Sequence, residues 1–145
     1  MRHHTKDKGD VGVGFVIADL LSRGIQVALP LSEHLPFDCI AISEDGTMLR
    51  LSVKFRTARR SGTVRVARSS VWADRKGTHT RKHQRGDYDA FAIYSPTTGK
   101  CYYVRESEVE GEHISLRVTP SKNGQQSGCH PAELFVDPKR LFKPS

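Results

Sequence analysis

Near the start of the chain, Val11, Phe15 and Ala18, with Ile17 or Leu21, recur at helical rather than strand spacing. That period predicts a helix over residues 9–23. Asp7 and Asp10 stand near its beginning, where negative charge suits the helix dipole. Gly24 stands where a left-handed residue would end it. A short apolar run, 25–29, is stopped by Pro30 and reads as a strand. The pattern then changes to period two. Residues 37–42 and 48–56 read as paired strands, with Asp45-Gly46 between them as the hairpin signal. In the second of these, Leu49, Leu51, Val53 and Phe55 alternate with Arg50, Ser52, Lys54 and Arg56. One face is core, and the other is wet or functional.

Further along, 62–68 reads as a strand, with Val64 and Val66 alternating with Arg65. Residues 74–87 are polar, basic and broken by glycine, which predicts a loop. Residues 88–94 and 100–105 form a second hairpin around Ser95-Pro96-Thr97-Thr98-Gly99. A short alternating segment covers 113–119, a loop 120–128, and the tail from 131 to 142 carries scattered apolar anchors. The expected architecture is one α+β domain over 1–145: an N-terminal helix, a mixed sheet within a core of about 5–105, and peripheral additions beyond. A chain of 145 residues with 37% hydrophobic content supports one modest core.

Charge sharpens the picture. The chain carries a net charge of +7, but the excess is not spread evenly. Between Arg50 and Arg85 stand twelve lysines or arginines and a single acid, Asp74, a net of +11; the rest of the chain sums to −4. Like charges packed this densely repel unless a polyanion compensates, and each phosphate neutralised releases condensed counterions. Arg56, Arg59, Arg60, Arg65 and Arg68 are candidate phosphate contacts, as are Arg75, Lys76, Arg81 and Lys82 in the expected loop. Lys122, Asn123 and Gln125 form a second polar loop whose amides suit adenine edges. Trp72 reads either as a base-stacking platform or as an aromatic that anchors its segment. No apolar run approaches the roughly 20 residues that span a bilayer. The charged N-terminus lacks a secretory signal's apolar stretch, and Cys39, Cys101 and Cys129 are odd in number and widely spaced. A cytoplasmic setting is expected. Cys129 and His130 match no structural zinc spacing.

The chemistry concentrates in residues 36–54. Asp38 lies on one strand of the hairpin and Lys54 on its partner, and adjacent strands are about 4.8 Å apart. A carboxylate there suits Mg²⁺, and a lysine beside it orients water or steadies charge growing on a phosphate. Ser52 shares the face of Lys54. Glu33 and His34, in the preceding loop, read as polar surface, and Asp87 and Asp89 as caps or arginine partners.

These residues carry a family resemblance. A helix beginning Lys8-Gly9-Asp10, a strand opening Pro36-Phe37-Asp38, a hairpin, and a strand ending Val53-Lys54 resemble the PD-(D/E)xK nuclease superfamily. Within it, the chain looks most like the small homing endonucleases associated with group I introns. HTKDKGDVGV, LPLSEHLPFD, SSVWADRKGTHT, YSPTTGKCYYV and LRVTPSKNGQ extend the resemblance over most of residues 4–125. It implies a restriction-endonuclease-like core and metal-dependent hydrolysis of double-stranded DNA with Mg²⁺ (or Mn²⁺). It further implies a homodimer or homotetramer, since one small domain covers little DNA. Asp38 and Lys54 match the family's catalytic pattern. Ser52 occupies the place of its acidic or glutamine ligand. The helix glutamate falls near Val13, with Asp10 the nearest carboxylate to stand in as a metal ligand. These two departures define a second reading, a DNA- or RNA-binding protein that keeps the fold without the chemistry.

Overall fold

The computed structural model describes residues 4–74, 76–82, 86–120 and 128–143, with side chains described outside 4–6, 69–74 and 78–82. Its main sheet has five strands. Strands β1 (Gln26–Ala28), β2 (Cys39–Ile42) and β3 (Met48–Phe55) form an antiparallel meander. The chain then leaves the sheet, with β4 (Thr63–Ala67), β5 (Ser69–Asp74) and β6 (Gly77–Lys82) lying in the excursion. It returns as β7 (Ala90–Ser95), parallel to β3, and turns back as β8 (Lys100–Arg105). A parallel neighbour demands such a crossover, because a tight turn reverses direction. The excursion and the tail also build a second sheet, in which β9 (His113–Arg117) pairs antiparallel with β4 and parallel with β10 (His130–Pro131).

The main sheet is covered on both faces. Helix α1 (His4–Ser22) lies on one, burying Val16 and Leu20 against Cys39, Ala41, Leu51, Ala90, Ala92 and Tyr103. The second sheet lies on the other, where Val64, Val66, Ile114 and Leu116 meet Phe91, Ile93, Tyr102 and Val104. Strand β7 is therefore buried at every position, its alanines beneath the helix and its Phe and Ile toward the second sheet. Tyr103 donates its hydroxyl hydrogen to Asp19 Oδ2 at 2.6 Å, tying the helix to β8. The C-terminal tail packs through Ala132, Phe135 and Leu141 in two short 3-10 turns, Ala132–Phe135 and Pro138–Phe142. Arg140 fixes it, donating to both carboxylate oxygens of Glu108 at 2.6 Å while its guanidinium lies over the Phe135 ring.

Three expectations need correction. The stripe that α1 buries runs through Val16 and Leu20, whereas Val11, Phe15 and Ala18 of the expected stripe are exposed. The helix begins five residues before the expected Gly9, at His4, where polar residues hide the apolar period. Much of the expected loop 74–87 is strand: β6 pairs with β5 from Ser69↔Lys82 to Asp74↔Gly77. A two-stranded ribbon that forms a sheet of its own needs no apolar alternation, so the polar composition concealed it. The hairpin predicted around Asp45-Gly46 is present as a five-residue loop between the Ile42↔Met48 pair. Gly46 takes φ +87°, and Asp45 accepts hydrogen bonds from Ser43 and the Thr47 N–H. Residues 121–127, with Lys122, Asn123 and Gln125, lie outside the described residues, as does Arg75.

Candidate functional site

The alternation of β3 sets up the site. Leu49, Leu51, Val53 and Phe55 pack toward the helix, which leaves Ser52 and Lys54 on the opposite face. On its far side, β3 is held by β7 through Ser52↔Phe91 and Lys54↔Ile93. On its near side, the ladder with β2 ends at Cys39↔Leu51, and Asp38 comes one residue before that pair. There Asp38 is tied twice. Its N–H donates to the Leu51 carbonyl at 2.9 Å, and its Oδ2 accepts the Val53 N–H at 2.7 Å. Both contacts flank Ser52, so the carboxylate sits beside that residue, one strand over from Lys54.

The electrostatics follow from this crowding. Burial raises the Asp38 carboxyl above its ordinary value, while the Val53 N–H and the Lys54 charge pull it back. Burial likewise lowers the Lys54 ammonium, helped by Arg56 and opposed by Asp38. Each group is thus under strain as an ion, and each steadies the other. The neighbouring Cys39 thiol is pushed up to about 12 by burial and by the Asp38 charge, which keeps it an inert core residue. Ser52 is only 5% exposed, a hydroxyl held at the floor of the site.

Cations follow this strand end along the chain. Arg56 follows Lys54 directly, its N–H bonded to the Tyr94 carbonyl and its guanidinium to the Phe55 carbonyl. Arg59 and Arg60 are exposed on the turn that follows, braced where the Ala58 N–H donates to Thr97 Oγ1. Arg65 is exposed on the second sheet and bonded to His113 Nδ1 at 2.9 Å. Lys76 is exposed at the turn of the β5–β6 ribbon. Arg68 has a different setting. It pairs with Glu106 at 3.3 Å and donates to the Val109 carbonyl, so its guanidinium fastens the 106–109 turn to β4. Asp89 is a structural partner too, held by Arg50 through its main chain and its guanidinium. Arg81 and Lys82 fall at paired positions of the ribbon, opposite Ser70 and Ser69.

Among the described residues, the charge that acts on the Asp38 carboxylate is that of Lys54, not of a second carboxylate. The stripe of α1 that meets the sheet runs through Gly12, Val16 and Leu20; a Cβ added at Gly12 would lie 3.5 Å from Val53. Asp10 is two residues back, about 200° around the helix, and is exposed. Val13 is about 100° round from Gly12, on the side away from Phe15 and Asp19, which contact Tyr94 and Tyr103. It therefore faces the β1–β2 side, where the resemblance places a glutamate. Among the described residues, no three His, Cys, Asp or Glu side chains cluster as a metal site. A magnesium ion is nonetheless commonly held by one or two carboxylates completed by waters and substrate phosphates. Asp38, with the Ser52 hydroxyl beside it, is a donor set that such an ion fits, though with weak retention. The Val53 N–H that orients Asp38 carries no sequence signal, since any residue supplies it.

Known proteins place the chain independently of these distances. The pattern that defines the PD-(D/E)XK endonuclease family matches residues 3–137. Among solved structures, the fold is similar to that of a bacterial homing endonuclease, I-Ssp6803I, with a TM-score of 0.75 and 20% identity. The likeness covers 97% of this chain and 93% of that one. No curated protein sequence matches this chain. No helix among the described residues is long and apolar enough to cross a membrane.

Proposed function

This chain belongs to the PD-(D/E)XK endonuclease family, and from that premise we propose that it is a metal-dependent endonuclease hydrolysing phosphodiester bonds in double-stranded DNA. The observation that carries the reading is the Asp38 carboxylate, pinned by the Val53 N–H beside Lys54, with Arg56 close by and the exposed Arg59 and Arg60 on the turn that follows. Asp38, with the Ser52 hydroxyl, is the place for Mg²⁺ (or Mn²⁺), which when bound supplies Lewis-acid charge to the scissile phosphate. Lys54 orients the attacking water and offsets the charge that grows on the phosphate as the P–O bond breaks. Its ammonium, lowered by burial and by Arg56 and steadied by Asp38, is the hydrogen-bond donor in that role. The arginines hold the DNA backbone and set register without reading sequence. A homodimer or homotetramer in the cytoplasm, each subunit covering part of a longer target, completes the reading.

A second reading has its own observation. Val13 and Ser52 stand where the family pattern expects metal ligands, and a protein with this surface binds nucleic acid whether or not it cuts. Incubation with mixed-sequence duplex DNA, in Mg²⁺ or Mn²⁺ and again with a chelator, separates the two. Strand breaks that disappear with the chelator support the endonuclease. Tight, salt-sensitive binding without breaks in either metal supports the binding protein, and preference for structured RNA over duplex would refute both DNA readings.

A further inference from the structure

We propose that the β5–β6 ribbon reads DNA sequence from the major groove, an inference that rests on the endonuclease reading above. The first support is topological. The ribbon is a sheet of its own, its strands pairing with each other and with no strand of the five-stranded or three-stranded sheet. An isolated two-stranded hairpin is marginally stable in water, so a ribbon set apart from both sheets gains from a partner that holds it.

The second support is dimensional. Six paired positions, Ser69↔Lys82 through Asp74↔Gly77, give a regular ribbon roughly 20 Å long at about 3.4 Å per residue. The B-DNA major groove, about 12 Å wide and about 8.5 Å deep, admits a two-stranded ribbon. The third is chemical. Between positions 68 and 85 the sequence carries six cations against one acid, Asp74. Strand alternation separates two sets of positions. One holds Ser70, Trp72, His79 and Arg81, and the other Val71, Ala73, Thr78 and Thr80 with Ser69 and Lys82. Both contain groups that bond base edges: arginine with guanine, and threonine or serine with any base, while threonine methyls also meet thymine. The exposed arginines near Lys54 lack this ordered spacing, so they hold the backbone while the ribbon supplies the reading.

The test is selection of bound duplexes from a randomised pool by the full chain and two double variants, Thr78→Ala/Thr80→Ala and His79→Ala/Arg81→Ala. The inference expects the wild-type protein to select a defined sequence. At least one variant should lose roughly tenfold or more of the preference at two to four adjacent base pairs, consistent with the worth of single base contacts. That variant should still bind the pool and should melt within a few degrees of wild type, since the ribbon lies outside both sheets. Two variants that keep every positional preference, while binding all sequences equally less well, overturn the inference and make the ribbon a phosphate clamp. Preferences kept while the assembly mass falls in sedimentation also overturn it, and make the ribbon a contact between copies. A wild-type protein that binds duplex but selects no sequence overturns this inference alone, whereas one that binds no duplex overturns the endonuclease reading as well.

Discussion

Replacing Asp38 by asparagine and by alanine separates two contributions of its carboxylate. Asparagine keeps an oxygen for the Val53 N–H, which Oδ2 accepts at 2.7 Å, and removes the charge that burial disfavours. Alanine removes both and leaves the Val53 N–H without its acceptor at the end of the ladder. An unsatisfied buried donor costs about 1–3 kcal/mol, and because Val53 is half-buried, about 1–2 kcal/mol is expected. For a chain of this length, each kcal/mol moves Tm by about 2–4 °C. In metal-free buffer at pH 7 the alanine variant should therefore melt roughly 2–8 °C below the asparagine variant. Wild type should lie level with asparagine or slightly below it, since only wild type carries the desolvated charge. Magnesium should reverse that order. A ligand at ten times its Kd adds about 1.4 kcal/mol, enough to lift wild type by about 3–6 °C and leave both variants unmoved. Scanning calorimetry with a chelator and then with Mg²⁺ reads all of this. Alanine melting level with asparagine would refute the tether to Val53, and equal stabilisation of all three proteins by magnesium would place the ion elsewhere.

The Glu108–Arg140 pair should make the C-terminal tail sensitive to acid. Burial raises the Glu108 carboxyl, but Arg140 and the Arg105 N–H outweigh it and hold it below its ordinary 4.5. Its contribution is complete above that value and is lost as pH falls through the folded one. The Tm advantage of wild type over Glu108→Gln should therefore narrow below about pH 4.5, and a gap constant from pH 7 to 3 would refute it. Gly62→Ala should destabilise by roughly 2–3 kcal/mol in urea titrations. Gly62 takes φ +80°, and an added Cβ would lie 2.1 Å from Thr119 Oγ1; a loss below 0.5 kcal/mol would show that this turn yields easily. Tyr103→Phe removes the hydrogen bond to Asp19 and should cost about 1–2 kcal/mol, read from the same titrations; an unchanged midpoint would mean the helix is held by packing alone.

What the sequence made legible is what physics writes locally. The alternation of β3 and the Asp45-Gly46 turn placed Ser52 and Lys54 on one face and Asp38 one strand away, as the structure has them. The ribbon was hidden because its second strand, Gly77–Lys82, has no apolar side chain, and burial is what writes period two into a strand. Asp10 drew attention as the nearest helical carboxylate, but linear nearness ignores the angle around the helix, and its position is turned away from the stripe through Gly12. The tie from Arg68 to Glu106 spans 38 residues, and that from Arg140 to Glu108 spans 32. Such pairs leave no mark in a single sequence, so the ties that Arg68 and Arg140 make were not legible beside the apolar anchors of the tail. Family resemblance supplied what locality lacked, the expectation that Asp38 and Lys54 belong to one nuclease site.

The central claim is that the strand end bearing Asp38 and Lys54 hydrolyses DNA. Its most direct test is cleavage by Lys54→Ala and wild type on the same duplex in Mn²⁺, with the affinity of each for that duplex measured at the same salt. The account expects affinity within a few-fold of wild type and cutting reduced by at least a hundredfold, because the arginines that hold the DNA remain while the group that offsets developing charge is gone. Cutting by Lys54→Ala at the wild-type rate, with equal affinity, would contradict it and move the chemistry to another part of the protein.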